Sequence, residues 1–242
     1  MRKIIFALMV ILIFYLAFQI SYKNSIISKY ENTVNVGANH VIEKNIIQIE
    51  PQAEKEIDDW RLILVNYENI LPENYEIELA SIDNTRQFDS RAIIELNRMM
   101  KDMKKSGISN VWIQSAYRSI EYQTGLFNDK INTYMKQGKT REEAEELTLQ
   151  TINKPGTSEH NLGLSVDFNY VNYSFDETIG FKWLQENAEN YGFILRYRKE
   201  KEDITKVNYE PWHWRYVGTE NAKKMNELDM CLEEYIEYLK WN

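Results

Sequence analysis

Cysteine is nearly absent: Cys231 is the only one in 242 residues. An internal disulfide framework and a Cys-rich zinc site are therefore excluded. Any metal must be held by His, Asp or Glu, and histidine is scarce too, at three residues, His40, His160 and His213. Positive charge is also short. A formal net charge of −8 argues against nucleic acid as a partner, because phosphate binding needs a basic surface. No internal repeat is found. What is present suffices for a folded core, with 43% hydrophobic and 13% aromatic residues. The length suits one domain of about 100–200 residues plus accessories.

Only one long apolar run occurs. Arg2 and Lys3 precede residues 4–20, which are interrupted only by Gln19. This is the short end of what spans a bilayer. Neither a small-x-small cleavage site nor a lipobox cysteine follows, which favours an uncleaved anchor over residues 1–21 rather than a signal peptide. The flanking positive charges place the rest of the chain outside the cytoplasm, and it would be secreted if the segment were cleaved. Residues 22–57 are polar and aperiodic and read as an extracellular stalk. His40 falls in it as a solvated bystander. Fully extended, about 30 such residues reach about 100 Å at roughly 3.3 Å each. The folded domain is expected over residues 58–242.

Within it, residues 60–65 read as a buried strand ended by Asn66 and the Leu71-Pro72 turn. Asp89 is placed to cap a helix over 90–105, with Ile93, Leu96, Met100 and Met103 as its apolar stripe and Gly107 as its stop. Residues 108–117 alternate as a strand, ending at Arg118 and Ser119. A helix over 121–137 follows, broken by Gly138. Thr140 and Glu143 then form a capping box for another helix reaching about residue 152. Downstream, 181–190 reads as a helix closed by Gly192, 193–197 as a strand, and 199–208 as a charged loop or hairpin tip. Thr219 is expected to cap one C-terminal amphipathic helix, with Ala222, Met225, Leu228, Leu232, Tyr235 and Leu239 inward and Cys231 packed beside them. Helices and mostly antiparallel strands in irregular order make the fold α+β.

Two histidine-bearing stretches carry the chemistry. In Leu164-Ser-Val-Asp-Phe168, Leu164, Val166 and Phe168 share one face, and Ser165 and Asp167 the other. The apolar face packs on the core, which aims Asp167 into a cleft. On a continuous strand, His160 would face away from Asp167; a turn at Gly163 folds it back. Taken alone, this pair fits a metal site and fits equally a loop His with an Arg-paired Asp. The second stretch is Glu210-Pro-Trp-His213. Pro211 disfavours helix at Glu210, so this is not the helical His-Glu-x-x-His arrangement. Trp212, Trp214 and Tyr216 alternate with His213 and Arg215, giving a strand with a buried aromatic face and His213 turned toward the cleft. One satisfied histidine on an aromatic strand is the plainer alternative. Two histidines and one aspartate leave a fourth zinc position open, as catalysis requires, with Glu210 beside it as a base. Arg118, at a strand end near Ser115, Tyr117 and Ser119, is suited to clamping a carboxylate or an oxyanion, and suits equally a plain surface role.

Taken together, the segments resemble the VanY-type D-alanyl-D-alanine carboxypeptidases, zinc peptidases of the bacterial wall. The matching pieces are Leu71-Pro-Glu-Asn-Tyr75, Ser115-Ala-Tyr-Arg-Ser119 with Gln123, Pro155-Gly-Thr-Ser-Glu-His160 and Gly163-Leu-Ser-Val-Asp167. They continue with Asn187-Ala188, Tyr191-Gly-Phe-Ile-Leu-Arg-Tyr197 and Tyr209-Glu-Pro-Trp-His-Trp-Arg-Tyr-Val-Gly218. Their order is the family's, over about residues 60–218. The resemblance implies zinc on His160, Asp167 and His213, with Glu210 as general base and acid. It implies Arg118 as a transition-state or substrate contact, with Ser115, Tyr117, Gln123, Ser158 and Ser165 as further substrate contacts. The expected fold is that shared with the Hedgehog signalling domain, an antiparallel sheet flanked by helices. The expected substrates are peptidoglycan stem peptides ending in D-Ala, with cleavage of the terminal D,D bond as the leading reading and of an L,D bond in the tetrapeptide as the alternative. The motifs are those of the zinc enzymes, not of the serine-type carboxypeptidases. A bacterial membrane location, single-pass with the domain outside, follows from adding the anchor. Asn161 and Trp214 depart from the residues common in relatives; neither is a proposed ligand.

Overall fold

The computed structural model describes residues 55–242. The expected anchor and His40 lie outside the described residues. Among those described, no helix is long and apolar enough to cross a membrane.

The fold is α+β and its strands pair antiparallel. Strands β1 (Leu79–Ser81) and β2 (Gln87–Asp89) form a small ribbon. Strands β3 (Ile113–Ser115), β4 (Ser165–Phe168), β5 (Phe193–Leu195) and β6 (His213–Tyr216) form the main sheet in the order β3-β4-β6-β5. Helix α1 (Ile93–Lys105) follows β2, and α2 (Ile120–Lys136) and α3 (Arg141–Leu149) separate β3 from β4. Helix α4 (Ile179–Asn187) lies between β4 and β5, the short α5 (Glu202–Thr205) between β5 and β6, and α6 (Thr219–Glu227) and α7 (Leu232–Trp241) end the chain.

Strands β4 and β6 are buried on both faces, which makes the sheet a partition. Val166 and Phe168 of β4, Trp214 and Tyr216 of β6 and Phe193 of β5 join Leu96, Met99 and Met103 of α1 and Phe181 and Leu184 of α4 in one apolar core. The alternate residues, Ser165, Asp167, His213 and Arg215, are equally buried but polar. Buried polar atoms need partners, so this second face must hold a bonded network or a ligand.

Several expectations change. Residues 60–65 are not a strand: Trp60–Leu62 is a 3-10 turn, started by Asp59, whose carboxylate accepts from the Arg61 amide at 3.0 Å. The carbonyls of Arg61 and Ile63 accept from Arg215 Nη2 at 2.9 and 3.0 Å, which satisfies them without a neighbouring strand. Asp89 caps no helix. It ends β2, and its side chain turns to Arg91, so α1 begins at Ile93. The strand expected over 108–117 shortens to Ile113–Ser115, with a register irregularity against β4. The segment after Tyr197 is helical, not a hairpin tip, with a 3-10 turn over Lys199–Lys201 leading into α5. The single C-terminal helix is two. Asp229 takes a left-handed φ of 53° between them, and Gly218, not Thr219, holds the cap position of the first.

Candidate metal centre

The 3-10 turn Glu159–Leu162 carries His160 and ends at Gly163, whose φ of +70° turns the chain into β4. That left-handed backbone favours glycine at position 163, where an added Cβ would also press on the tip of the Ile77 side chain. Register does the rest. Asp167 pairs with His213 across β4 and β6, and with Ser115 across β3. Ala116 and Arg118 follow β3, so one ladder row across three strands gathers the site, and the Arg118 amide ties the His160 turn to it by donating to the His160 carbonyl at 3.1 Å.

His160 Nε2 lies 3.1 Å from Asp167 Oδ2, and His213 Nδ1 lies 3.1 Å from Asp167 Oδ1. The two imidazoles meet edge to face, with centroids 4.9 Å apart. One donor atom from each of His160, Asp167 and His213 falls within 4.8 Å of the other two, and all three residues are buried. Asp167 Oδ1 is buried with no hydrogen-bond partner, despite the nearness of His213 Nδ1. A buried carboxylate with one oxygen left without a hydrogen-bond partner, and an imidazole nitrogen beside each oxygen, fits a cation better than a closed hydrogen-bond network. An N2O donor set of this kind suits zinc, with a position left open for substrate chemistry.

The electrostatics set the four ionisable groups apart. Burial pulls His160 down to about 4, with Arg118 adding to the shift, so its imidazole is neutral and free to ligate. Burial works against the charge of Asp167, but His160, His213 and Arg118 outweigh it and hold the carboxyl well below its usual range. His213 is raised to about 9: burial opposes the charge, and the neighbouring carboxylates of Asp167 and Glu159 overcome it. Glu210 differs from these. Burial pushes it up to about 8, only partly offset by His213, and its Oε2 stands 3.7 Å from His213 Nδ1.

Arg118 bridges the rim. Its Nη2 donates to Asp167 Oδ2 at 2.6 Å and its Nε to Ser115 Oγ at 2.8 Å, and the side chain remains 18% exposed. A cleft of about 210 Å³ opens beside these groups, lined by Arg118, Gln123, Ser158, His160, Asp167, Tyr197, Glu210, Trp212 and His213. Gln123 is buried, donates to the Asn153 carbonyl, and leaves its Oε1 without a partner. Ser115 touches Arg118 from a neighbouring hollow that Tyr117 also lines. Ser165 is not a cleft residue: it is fully buried and donates to Glu159 Oε2 at 3.2 Å. Glu159 itself is the residue that sequence reasoning missed, and it lies 3.3 Å from His213 Nε2. The signal for it was the pairing of Ser165 with Arg215 on the polar face, since a buried arginine requires a buried anion.

An antiparallel α+β fold that buries two histidines and an aspartate together, with a glutamate and an arginine alongside, presents a candidate single-metal site. The chain belongs to the VanY family of D-alanyl-D-alanine carboxypeptidases, whose family profile matches residues 85–219. A D-alanyl-D-alanine carboxypeptidase of Enterococcus faecalis is 38% identical over 178 residues, covering 74% of this chain and 66% of that protein. The chain thus spans just under two thirds of that relative. A vancomycin-resistance D,D-pentapeptidase VanY, solved as a variant with Zn(II), superposes with a TM-score of 0.67 at 38% identity, covering 74% of this chain and 99% of that one. The L,D-carboxypeptidase LdcB, solved for its peptidoglycan recognition, matches at 33% identity and a TM-score of 0.63, covering 78% and 94%.

Proposed function

We propose that this protein is a zinc-dependent D,D-carboxypeptidase that removes the terminal D-alanine from peptidoglycan stem peptides. The observation that carries the reading is the clustering of His160, Asp167 and His213 donor atoms within 4.8 Å, with the Glu210 carboxylate 3.7 Å from His213 Nδ1 and raised to about 8 by burial. A carboxylate outside the ligand set, with a pKa near neutrality, is matched to moving a proton rather than to holding a metal.

His160, Asp167 and His213 would hold the zinc. Bound zinc supplies Lewis acidity and lowers the pKa of water toward about 7. Glu210 takes the proton of the attacking water and returns it to the amine of the departing D-alanine. Arg118, oriented by Ser115 and Asp167, presents its remaining donors to the cleft and steadies the carboxylate or the developing oxyanion of the substrate. Ser158 and Gln123, with its unpaired Oε1, line the same cleft and are assigned to substrate binding. Residues 1–21 are proposed to anchor the chain in the bacterial membrane, with the catalytic domain outside and within reach of the wall.

Cleavage of an L,D bond in the tetrapeptide is the second reading, favoured by the likeness to LdcB. A non-catalytic wall-binding role is disfavoured by the complete set of donors and base. Incubating the protein separately with stem pentapeptide and tetrapeptide and measuring released D-alanine decides between the first two. Release from the pentapeptide supports the D,D reading; release from the tetrapeptide alone rejects it.

A further inference from the structure

The two histidines turn opposite ring nitrogens toward the metal position. His160 Nδ1 lies 2.7 Å from the Ala116 carbonyl, so the ring proton sits there and Nε2 is the free donor. In His213 the order is reversed. Its Nδ1 faces Asp167 and Glu210, and its Nε2 points away, 3.3 Å from Glu159 Oε2. For His213 to ligate through Nδ1, its proton must reside on Nε2, and Glu159 is the acceptor on that side.

Glu159 is placed with unusual firmness. It has no exposed surface, and its Oε1 accepts from Arg196 Nε at 2.7 Å. Arg215 Nη1 stands 3.1 Å from the same oxygen as an ion pair without hydrogen-bond alignment. Ser165 Oγ donates to Oε2 at 3.2 Å. Arg196 is itself gripped from the far side by Glu233, at 2.8 and 2.6 Å. Burial disfavours the charged carboxylate, yet Arg196 and Arg215 outweigh it and keep Glu159 well below the usual carboxylate range. Stability is a poor explanation for such a cluster, since well-packed apolar residues commonly serve as well or better than a buried ion network. A carboxylate behind a ligating histidine has a different use: it fixes tautomer and ring orientation, and its loss typically weakens metal binding by about 10–100-fold.

We propose that Glu159 is a positioning residue that accepts the Nε2 proton of His213 and so commits that ring to binding zinc through Nδ1, with Arg196 and Arg215 holding the carboxylate in place. The proposal rests on the reading of His213 as a zinc ligand.

Zinc dissociation constants, measured by competition with a chromophoric chelator, test it in the full chain. Glu159→Gln should weaken binding by about 10–100-fold, and Glu159→Asp should recover part of that loss. Glu233→Gln, which opens the same network at its far end, should leave zinc affinity within about threefold while lowering the melting temperature. Equal weakening by Glu233→Gln and Glu159→Gln, or wild-type affinity in Glu159→Gln, overturns the proposal. Should Glu159→Gln fail to fold, long-range proton–nitrogen correlation spectra of the zinc-loaded wild type provide an independent reading. Protonation of His213 at Nε2 and of His160 at Nδ1 supports the proposal, and a His213 proton at Nδ1 refutes it. Unchanged zinc binding in His213→Ala would remove the ligand reading itself, an outcome distinct from failure of Glu159 alone.

Discussion

Glu210 Oε2 stands 3.7 Å from His213 Nδ1, close enough to serve the metal position. The Glu210 amide donates to the Tyr197 carbonyl at 3.1 Å, which ties its backbone to the segment after β5. A base in this position acts on a proton and contributes little to metal affinity. Glu210→Ala should therefore retain zinc at wild-type stoichiometry while kcat falls by about 10²–10⁴-fold. Elemental analysis and steady-state kinetics on the same preparation check this; unchanged kcat would show that the proton moves by another route.

Arg118 reaches two partners at once, Ser115 Oγ through Nε and Asp167 Oδ2 through Nη2. That geometry needs the planar fork of a guanidinium. Arg118→Ala is expected to reduce kcat/KM by about 10²–10³-fold. Arg118→Lys should recover only a small part of it, because a single ammonium does not span both contacts and the substrate. Full rescue by lysine would reduce the role of Arg118 to that of a charge.

Local patterns in the sequence revealed much of this site, and long-range pairings hid the rest. The alternation in Trp212–Tyr216, the Gly163 turn and the Thr140 capping box each depend on neighbours within a few residues, and each stands as read. The direct pairing of Asp167 with His213 also follows once both strands share a sheet. Residues 60–65 misled because their carbonyls are taken by Arg215, about 150 positions away, and not by a neighbouring strand. Glu159 escaped for the same reason. Its partners Arg196, Arg215 and His213 are distant in sequence, and the one hint of a buried anion, Arg215 on the polar face, lies far along the chain. The break at Asp229 was masked by Leu228 and Leu232, which continue a helical period across it.

Gly192 carries a prediction on stability. Its φ is +81°, and an added Cβ would lie 2.8 Å from the backbone of Gly218 and from the Thr219 nitrogen. Backbone yields less than the flexible Ile77 side chain opposite Gly163. Gly192→Ala should destabilise by about 3 kcal/mol, combining left-handed strain with overpacking. Denaturant titration measures it, and a loss below about 1 kcal/mol would mean that the β5–α6 crossing is looser than described.

Glu233 links stability to pH. Its side chain is 15% exposed. Burial raises its pKa, but Arg196 outweighs that and leaves the carboxyl below its usual value. A folded-state pKa below the unfolded one means that stabilisation is fully present above the unfolded value, about 4.3, and is lost as pH falls through the folded value. Glu233→Gln should thus cost about 3 kcal/mol at pH 7. The gap from wild type should close on acidification below about pH 4. A gap that stays constant to pH 3, about one unit lower, would assign the loss to packing rather than to charge.

We propose that one zinc held by His160, Asp167 and His213 drives D-alanine release. The most direct measurement strips the protein with chelator, titrates zinc back, and follows pentapeptide hydrolysis against bound metal in wild type and His213→Ala. The stripped protein should be inactive, wild type should recover fully at one zinc per chain, and His213→Ala should not recover at the same metal concentration. Activity that survives removal of the metal, or that returns with zinc in the absence of His213, would contradict it.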